Sequence, residues 1–305
     1  MTDDTVQAAT VDRITPRRRS SAETSASAWK GLYWRAFKAM VGRVETVGPH
    51  FALYHRGLAN ALDLRLRRHE VVLAGLPAAF DGYRLLHLTD LHLDRLDQTT
   101  ERLRALVATA PADLCVMTGD YGHGFRQFDR VIARLGTVVA AVEARDGILA
   151  TLGNHDSARL IGPIEAMGAR VLVNETATLR RGDDALHLTG LDDVHRYYTE
   201  AAREALFAAP DGFKIALIHS AEIAAAAAEA GFALYLTGHT HGGQVCLPGG
   251  RPILTNHRAP RAYAAGAWRH GDMIGYTSAG AGVSMLPIRF NTRGEITLIT
   301  LRRAP

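Results

Sequence analysis

The 305-residue chain contains only two cysteines. Cys115 and Cys246 each sit inside an apolar run. They read as small core residues and not as a disulfide pair, so nothing points to an oxidising compartment. No stretch approaches the roughly 18–20 consecutive apolar residues that a membrane-spanning helix needs. Arg17-Arg18-Arg19-Ser20 has the basic character of a twin-arginine export signal. Residues 21–28 are polar and supply no apolar segment behind it, which argues against export and for a cytoplasmic location. The chain also lacks internal repeats, and it lacks a linker-like stretch after residue 75.

What is present is ordinary for a globular chain: 47% apolar and 22% charged residues, enough to bury a sizeable core. The net charge of +4 is unevenly placed. Residues 1–75 hold twelve of the 35 Arg and Lys but few acids, which leaves the body close to neutral. A near-neutral body disfavours a nuclease or other nucleic-acid partner. Residues 1–28 are rich in Ser, Thr, Arg and Ala and are expected to be disordered. Over 29–62, Trp29, Leu32, Tyr33, Trp34, Phe37, Met40 and Val41 recur at helical steps, with Lys30, Arg35, Lys38 and Arg43 between them. This reads as an amphipathic helix. Its aromatic and basic faces suit either an anionic membrane surface or the flank of the protein body. The helical segment extends to residue 75 in this reading, with a strand over 69–76 leading into the main domain, 76–305.

From residue 80 onward short apolar runs alternate with helical stretches. Strands are expected over 85–89, 114–118, 148–152, 171–173, 186–190, 215–218 and 234–237. Helices are expected over 99–110, 125–144, 157–167, 199–208 and 221–230. Later runs at 244–247, 274–278 and 296–301 are strands without helices between them. The pattern predicts one α/β domain in which two packed sheets are flanked by helices.

Chemistry concentrates where these strands end. The chain continues as Asp90-Leu91-His92, Gly119-Asp120, Gly153-Asn154-His155-Asp156, His219, and Gly238-His239-Thr240-His241-Gly242-Gly243-Gln244. In open α/β sheets the carboxyl ends of the strands share one edge, where ligands bind. Five successive strands would bring Asp, His, Asp, Asn and three more His to that edge. Glycines flanking His239 and His241 allow the tight path this requires. Seven such donors exceed one tetrahedral zinc site. They suit two adjacent divalent ions. Oxygen and imidazole donors without thiolate fit Mn, Fe, Zn or Co. Two ions roughly 3.5–4 Å apart clamp both oxygens of an in-line phosphoryl displacement and acidify a bridging water. Hydrolysis of a phosphate ester by metal-held hydroxide is the expected reaction.

The ordered set Asp90-x-His92, Gly119-Asp120, Gly153-Asn154-His155-Asp156, His219 and Gly238-His239-x-His241 resembles the signature of the calcineurin-like metallophosphoesterases, across residues 80–301. The resemblance implies a four-layer αββα sandwich, two mixed β-sheets flanked by helices. It implies that Asp90, His92 and His241 hold one metal, that Asn154, His219 and His239 hold the other, and that Asp120 bridges them, with Mn favoured. His155 then approaches the leaving-group oxygen as a general acid, a role that contributes roughly 10²–10⁴-fold in rate. Asp156 either orients His155 or caps the helix that follows. His123 lies near the expected site as a candidate substrate contact, although a surface-loop histidine is the plainer reading. Asp192 and Asp193 read as turn residues, and His195 and His257 receive no role.

The forms Leu88-Thr89-Asp90-Leu91-His92, Gly238-His239-Thr240-His241-Gly242-Gly243-Gln244 and Arg289-Phe290-Asn291 resemble a bacterial membrane-associated phosphodiesterase branch. Members of that branch include UDP-2,3-diacylglucosamine hydrolases. The resemblance implies a phosphodiesterase or pyrophosphatase at the inner membrane surface acting on a lipid-linked substrate. A soluble small-molecule phosphodiesterase or a phosphatase is the alternative. A non-catalytic scaffold is disfavoured, because every expected ligand is present.

Overall fold

The computed structural model describes residues 28–124 and 127–305, and in the first helix leaves the side chains of residues 28–34 and 36–38 undescribed. The expectation of disorder over 1–28 therefore lies outside the described residues, apart from Ala28, which opens α1 (Ala28–Val47). The N-terminal segment is two helices and not one. Pro49 lacks the N–H that would continue the helical ladder. The chain turns there through a short 3-10 segment into α2 (Ala52–Leu62). Trp29, Leu32, Tyr33, Trp34 and Phe37, which carry most of the amphipathic pattern, fall among the undescribed side chains. Of the described ones, Met40 is exposed while Val41 is buried.

Strand β1 runs Arg65–Leu73 and pairs in parallel, residue for residue, with β14 (Glu295–Arg303). It thus starts four residues before the expected 69, and it belongs to the main sheet and not to the helical segment. Its Arg65-Leu66-Arg67-Arg68 start is charged and carries no apolar run. That composition is tolerated at the edge of a sheet, where one side faces water.

The remaining elements alternate as expected. β2 (Arg84–Leu88), α3 (Asp97–Val107), β3 (Leu114–Thr118), α4 (Phe128–Val139), β4 (Ile148–Thr151), α5 (Ile161–Ala166) and β5 (Ala169–Val171) form the first half. Then come β6 (Glu175–Arg181), β7 (Asp184–Gly190), α6 (Glu200–Phe207), β8 (Phe213–Leu217), α7 (Ala224–Glu229) and β9 (Leu234–Thr237). A small hairpin, β10 (Cys246–Leu247) and β11 (Arg251–Pro252), precedes β12 (Gly266–His270) and β13 (Met273–Thr277). The first six-stranded sheet has the order β1-β14-β2-β3-β4-β5 and the second β12-β13-β9-β8-β7-β6. In each, the strands that carry the expected ligands are mutually parallel, β2 to β4 in one and β8 to β9 in the other.

Three apolar clusters hold these layers. Leu85, Leu114, Val116, Leu188, Ile215, Leu217 and Leu236 fill the space between the sheets. Leu103, Val107, Val131 and Leu135 pack α3 and α4 on the outer face of the first sheet. Ala202, Leu206, Ala224 and Ala227 pack α6 and α7 on the second. The architecture is the expected four-layer sandwich. All five residues of β3 are buried, which explains its continuous apolar run. Of the strands the sequence reading missed, β11 is a two-residue hairpin arm, and β6 and β12 are sheet edges with alternating exposure, so none leaves a continuous apolar signature.

Phe80 sits in the turn before β2, fully buried between the sheets, its ring 5.3 Å from that of Tyr83. It lies at the opposite end of β2 from Asp90. Phe80→Ala is expected to lower the unfolding free energy by about 3–5 kcal/mol, the usual cost of a truncated core aromatic. Urea denaturation measures this, and metal content should not change.

Candidate metal centre

Five of the seven expected donors lie at sharp bends beyond their strands. Asp90, His92, Asp120, His239 and His241 all have positive φ, between 38° and 72°. This left-handed conformation is rare for residues with a side chain. The glycines between them make the close approach feasible. A Cβ on Gly238 would overlap the Asp90 carboxylate and Thr89, and one on Gly119 would overlap the Gly153 backbone. The loops are also tied to one another. The Asp90 N–H donates to the Gly119 carbonyl at 2.9 Å, His92 N–H to Asp120 at 3.1 Å, and Gly238 N–H to His219 at 3.0 Å.

Two groups of donor atoms result, Asp90 with His92 and His241, and Asp120 with His219 and His239, all buried. In the first, the Nε2 atoms of His92 and His241 face each other at 3.2 Å, and Asp90 Oδ1 lies 3.4 Å from His241 Nε2. In the second, Asn154 Oδ1 lies 3.1 Å from His219 Nε2 and 2.8 Å from His239 Nδ1. Asp120 Oδ2 is 3.7 Å from His92 Nε2 and 3.3 Å from His219 Nε2, so it stands between the groups. All seven expected donors are therefore brought together.

The residues fit divalent cations on three grounds. First, the distal ring nitrogens of the second group are already committed. His219 Nδ1 lies 2.7 Å from the Thr118 carbonyl and His239 Nε2 2.5 Å from that of Asn256. A carbonyl can only accept, so these nitrogens carry the protons, and the opposite nitrogens turn lone pairs inward, the arrangement of a ligating imidazole. Second, Asp90 Oδ1 is buried without a hydrogen-bond partner, a costly state unless a cation satisfies it. Third, burial followed by neighbouring charge holds His92, His239 and His241 well below the ordinary imidazole value, in the neutral form that binds metal. His219 behaves oppositely. Burial alone lowers it, but the Asp120 carboxylate overcomes this and holds it well above that value. A bound cation takes the place of that proton. Burial raises the Asp90 carboxyl to about 6.

His155 and His123 are both in the site. Their rings stack at 4.4 Å, and the His155 ring is 5.4 Å from that of His92. His123 is thus no surface-loop residue. The Asp94 carboxylate accepts its N–H at 2.8 Å and holds it inward. Asp156 accepts N–H bonds from Asp120 at 2.7 Å, Tyr121 at 3.0 Å and Gly153 at 2.8 Å. It buckles two ligand loops together. The helix cap expected of it is supplied by Ser157, whose Oγ accepts the Arg159 N–H at 3.2 Å.

Several residues were missed. His195, given no role from sequence, packs its ring 4.4 Å from His239 and is anchored through Nδ1 to Glu222 at 2.7 Å. Asp193, read as a turn residue, is fully buried and caps the N–H groups of His195 and Arg196. Buried Arg289 donates to the carbonyls of His241 at 2.9 Å, Ala279 at 2.7 Å and Gly282 at 2.7 Å. Of these, the Asp-Asp pair directly after an apolar strand and Arg289, within the Arg289-Phe290-Asn291 form, carried a sequence signal, although neither was given a role at the site.

A two-sheet α/β sandwich whose strand ends converge on buried carboxylate, amide and imidazole donors defines a metal-dependent hydrolase. A family model described as calcineurin-like phosphoesterase matches residues 83–243. The chain is 30% identical over 278 residues to the Bacillus subtilis metallophosphoesterase YkuE, covering 87% of this chain and 94% of that one. It is 27% identical to the Escherichia coli phosphodiesterase YaeI, with 72% and 82% covered. Among solved structures, a Mycobacterium tuberculosis phosphopantetheinyl hydrolase aligns with TM-score 0.43 and 10% identity, over 66% of this chain and 91% of that one. The chain belongs to the calcineurin-like phosphoesterase family and is a phosphoric ester hydrolase.

Asp156→Ala should leave three buried N–H groups without their acceptor, at about 1–3 kcal/mol for each group left unsatisfied. We expect a lower unfolding midpoint together with reduced metal retention on dialysis. Wild-type retention would show that the ligand loops hold without this buckle.

Proposed function

We propose that the chain is a two-metal phosphodiesterase. Asp90, His92 and His241 would hold one ion, Asn154, His219 and His239 the other, and Asp120 would bridge them. The position of Asp120 Oδ2, 3.7 Å from one group and 3.3 Å from the other, carries this reading. Oxygen and imidazole donors without thiolate suit Mn, Fe, Zn or Co, and the family resemblance favours Mn among them. Such a pair supplies Lewis acidity towards the phosphoryl oxygens and activates water.

The chain's own residues do the rest. Asp120 Oδ1 accepts the His155 N–H at 2.9 Å, which fixes the backbone from which the His155 imidazole reaches the site. His155 delivers a proton to the leaving-group oxygen. The neighbouring His123 ring packs flat against the His155 imidazole. Substrate thus meets two imidazoles on the His92 side and the His195–Glu222 pair on the His239 side.

A lipid-linked diester, such as UDP-2,3-diacylglucosamine, handled at the inner membrane surface is the favoured substrate class. It is supported by the large apolar residues left open on the N-terminal helices and the turn joining them, where Phe51 is 58% and Leu53 64% exposed. Arg43 and Arg56 are also exposed there, and basic groups among apolar ones suit an anionic bilayer. No helix among the described residues is long and apolar enough to cross a membrane. A soluble diester or a monoester is the alternative.

The test is hydrolysis of a bis-aryl phosphate diester beside the aryl monoester, with Mn²⁺ supplied. Diester turnover that disappears in Asn154→Ala is the expected result, and monoester preference would reverse the assignment. Asp120→Ala should lose both ions by elemental analysis, and two retained ions would remove the bridge. His155→Ala should keep its metals and lose roughly 10²–10⁴-fold in turnover, and unchanged turnover on a poor leaving group would remove it from the reaction. Phe51→Glu with Leu53→Glu should abolish co-sedimentation with anionic phospholipid vesicles, and unchanged binding would end the membrane reading.

A further inference from the structure

The loop after β7 delivers two residues to the His239 side of the site. Asp193, fully buried, accepts the His195 N–H at 3.2 Å and the Arg196 N–H at 2.8 Å. The Tyr197 N–H closes the same turn on the Asp193 carbonyl at 3.0 Å. The His195 ring then packs on His239, with Glu222 holding its Nδ1. Backbone geometry is therefore fixed on both sides of the point where the Arg196 side chain departs.

The Arg196 side chain differs from its counterparts around the fold. Arg95 pairs with Glu45, Arg134 with Asp97, Arg181 with Asp146 and Arg293 with Asp63. Among the described residues no carboxylate pairs with Arg196. The carboxylate nearest in sequence, Asp193, directs both oxygens to backbone N–H groups. Arg196 Nε is buried and has no acceptor. A shielded donor without an acceptor is unfavourable. Arg196 leaves the chain directly after His195, whose ring packs on His239 at the edge of the site. A half-buried guanidinium on the His239 side of the site, with its Nε lacking an acceptor, is complementary to phosphate oxygens, which it can meet with two parallel N–H bonds.

We infer that Arg196 contacts a non-bridging oxygen of the substrate phosphate, held in place by the Asp193 turn, and sets how the enzyme ranks doubly charged monoesters against singly charged diesters. The inference rests on the two-metal reading above. The cation adds most to the ligand with the larger charge. It favours inorganic phosphate and monoesters over diesters, and so opposes the preference assigned to the metal pair and its surroundings.

The experiment uses full-length protein loaded with Mn²⁺ and freed of excess metal. Calorimetry measures binding of inorganic phosphate to the wild type, Arg196→Met, Arg196→Lys, and Arg302→Met as a charge control remote from the site. Arg196→Met should weaken phosphate about tenfold or more, the scale of a charge-assisted hydrogen bond. Arg196→Lys should recover part of this, because charge returns without the planar fork. Metal content, thermal midpoint and the control should match the wild type. In turnover assays KM for the aryl monoester should rise by a larger factor than KM for the diester. Equal phosphate affinity in wild type and Arg196→Met would overturn the assignment while leaving the metal reading intact. So would a loss accompanied by lost metal or a lowered midpoint, which would mark Arg196 as structural. Failure of the wild type to bind two ions would sink the metal reading, and this inference with it.

Discussion

Everything at the site depends on backbone that side chains resist. Asp90, His92, Asp120, His239 and His241 are held at positive φ, each at a cost of about 1–3 kcal/mol where the residue is not glycine. Such conformations persist only where the surroundings over-determine them. Here hydrogen bonds from loop to loop do so: Asp90 to Gly119, His92 to Asp120, Gly238 to His219. None of these bonds lies within a single loop. The first strand's loop is shaped by the second's, and the fifth's by the fourth's. Strain relieved at one ligand would be passed to the next, so the donor atoms are set as a group.

The electrostatics follow the same logic. Carboxylates and imidazoles are packed at separations of 3.2–3.7 Å between unlike and like atoms, all on buried residues. Four of the histidines there, His92, His155, His239 and His241, have their pKa lowered, with burial the leading cause. His219 alone is raised, because Asp120 is beside it. His219 beside Asp120, and Asp90 raised by its burial, are groups at which a cation would displace a proton, which links metal binding to pH.

The ligand set was legible in the sequence because each member directly follows an apolar strand. In a sheet sandwich that placement alone fixes the edge to which it goes. The parallel core strands were legible for the same reason, since burial on both faces writes a continuous apolar run. What escaped notice lacks such a run. β6 and β12 are half-polar edges, and β1 opens with three arginines among its first four residues. His195 and Glu222 meet only through a tertiary contact, 27 residues apart in sequence. Arg289 stood out only as part of the Arg289-Phe290-Asn291 form; its role was hidden because its partners are backbone carbonyls, which leave no mark in a sequence. His123 was underrated because its orienting partner, Asp94, lies 29 residues upstream.

Arg289 also joins two parts of the molecule that the layer description keeps separate. Its backbone N–H donates to the Gly57 carbonyl of α2 at 3.0 Å, and its carbonyl accepts from Asn60 Nδ2 at 3.0 Å. Its guanidinium grips the carbonyl of His241. One residue thus has its backbone on the N-terminal helix and its charge on a ligand loop. From Gly57 to His241 the path is two hydrogen bonds and one side chain long. A displacement of α2 would therefore reach the His241 loop through a single residue.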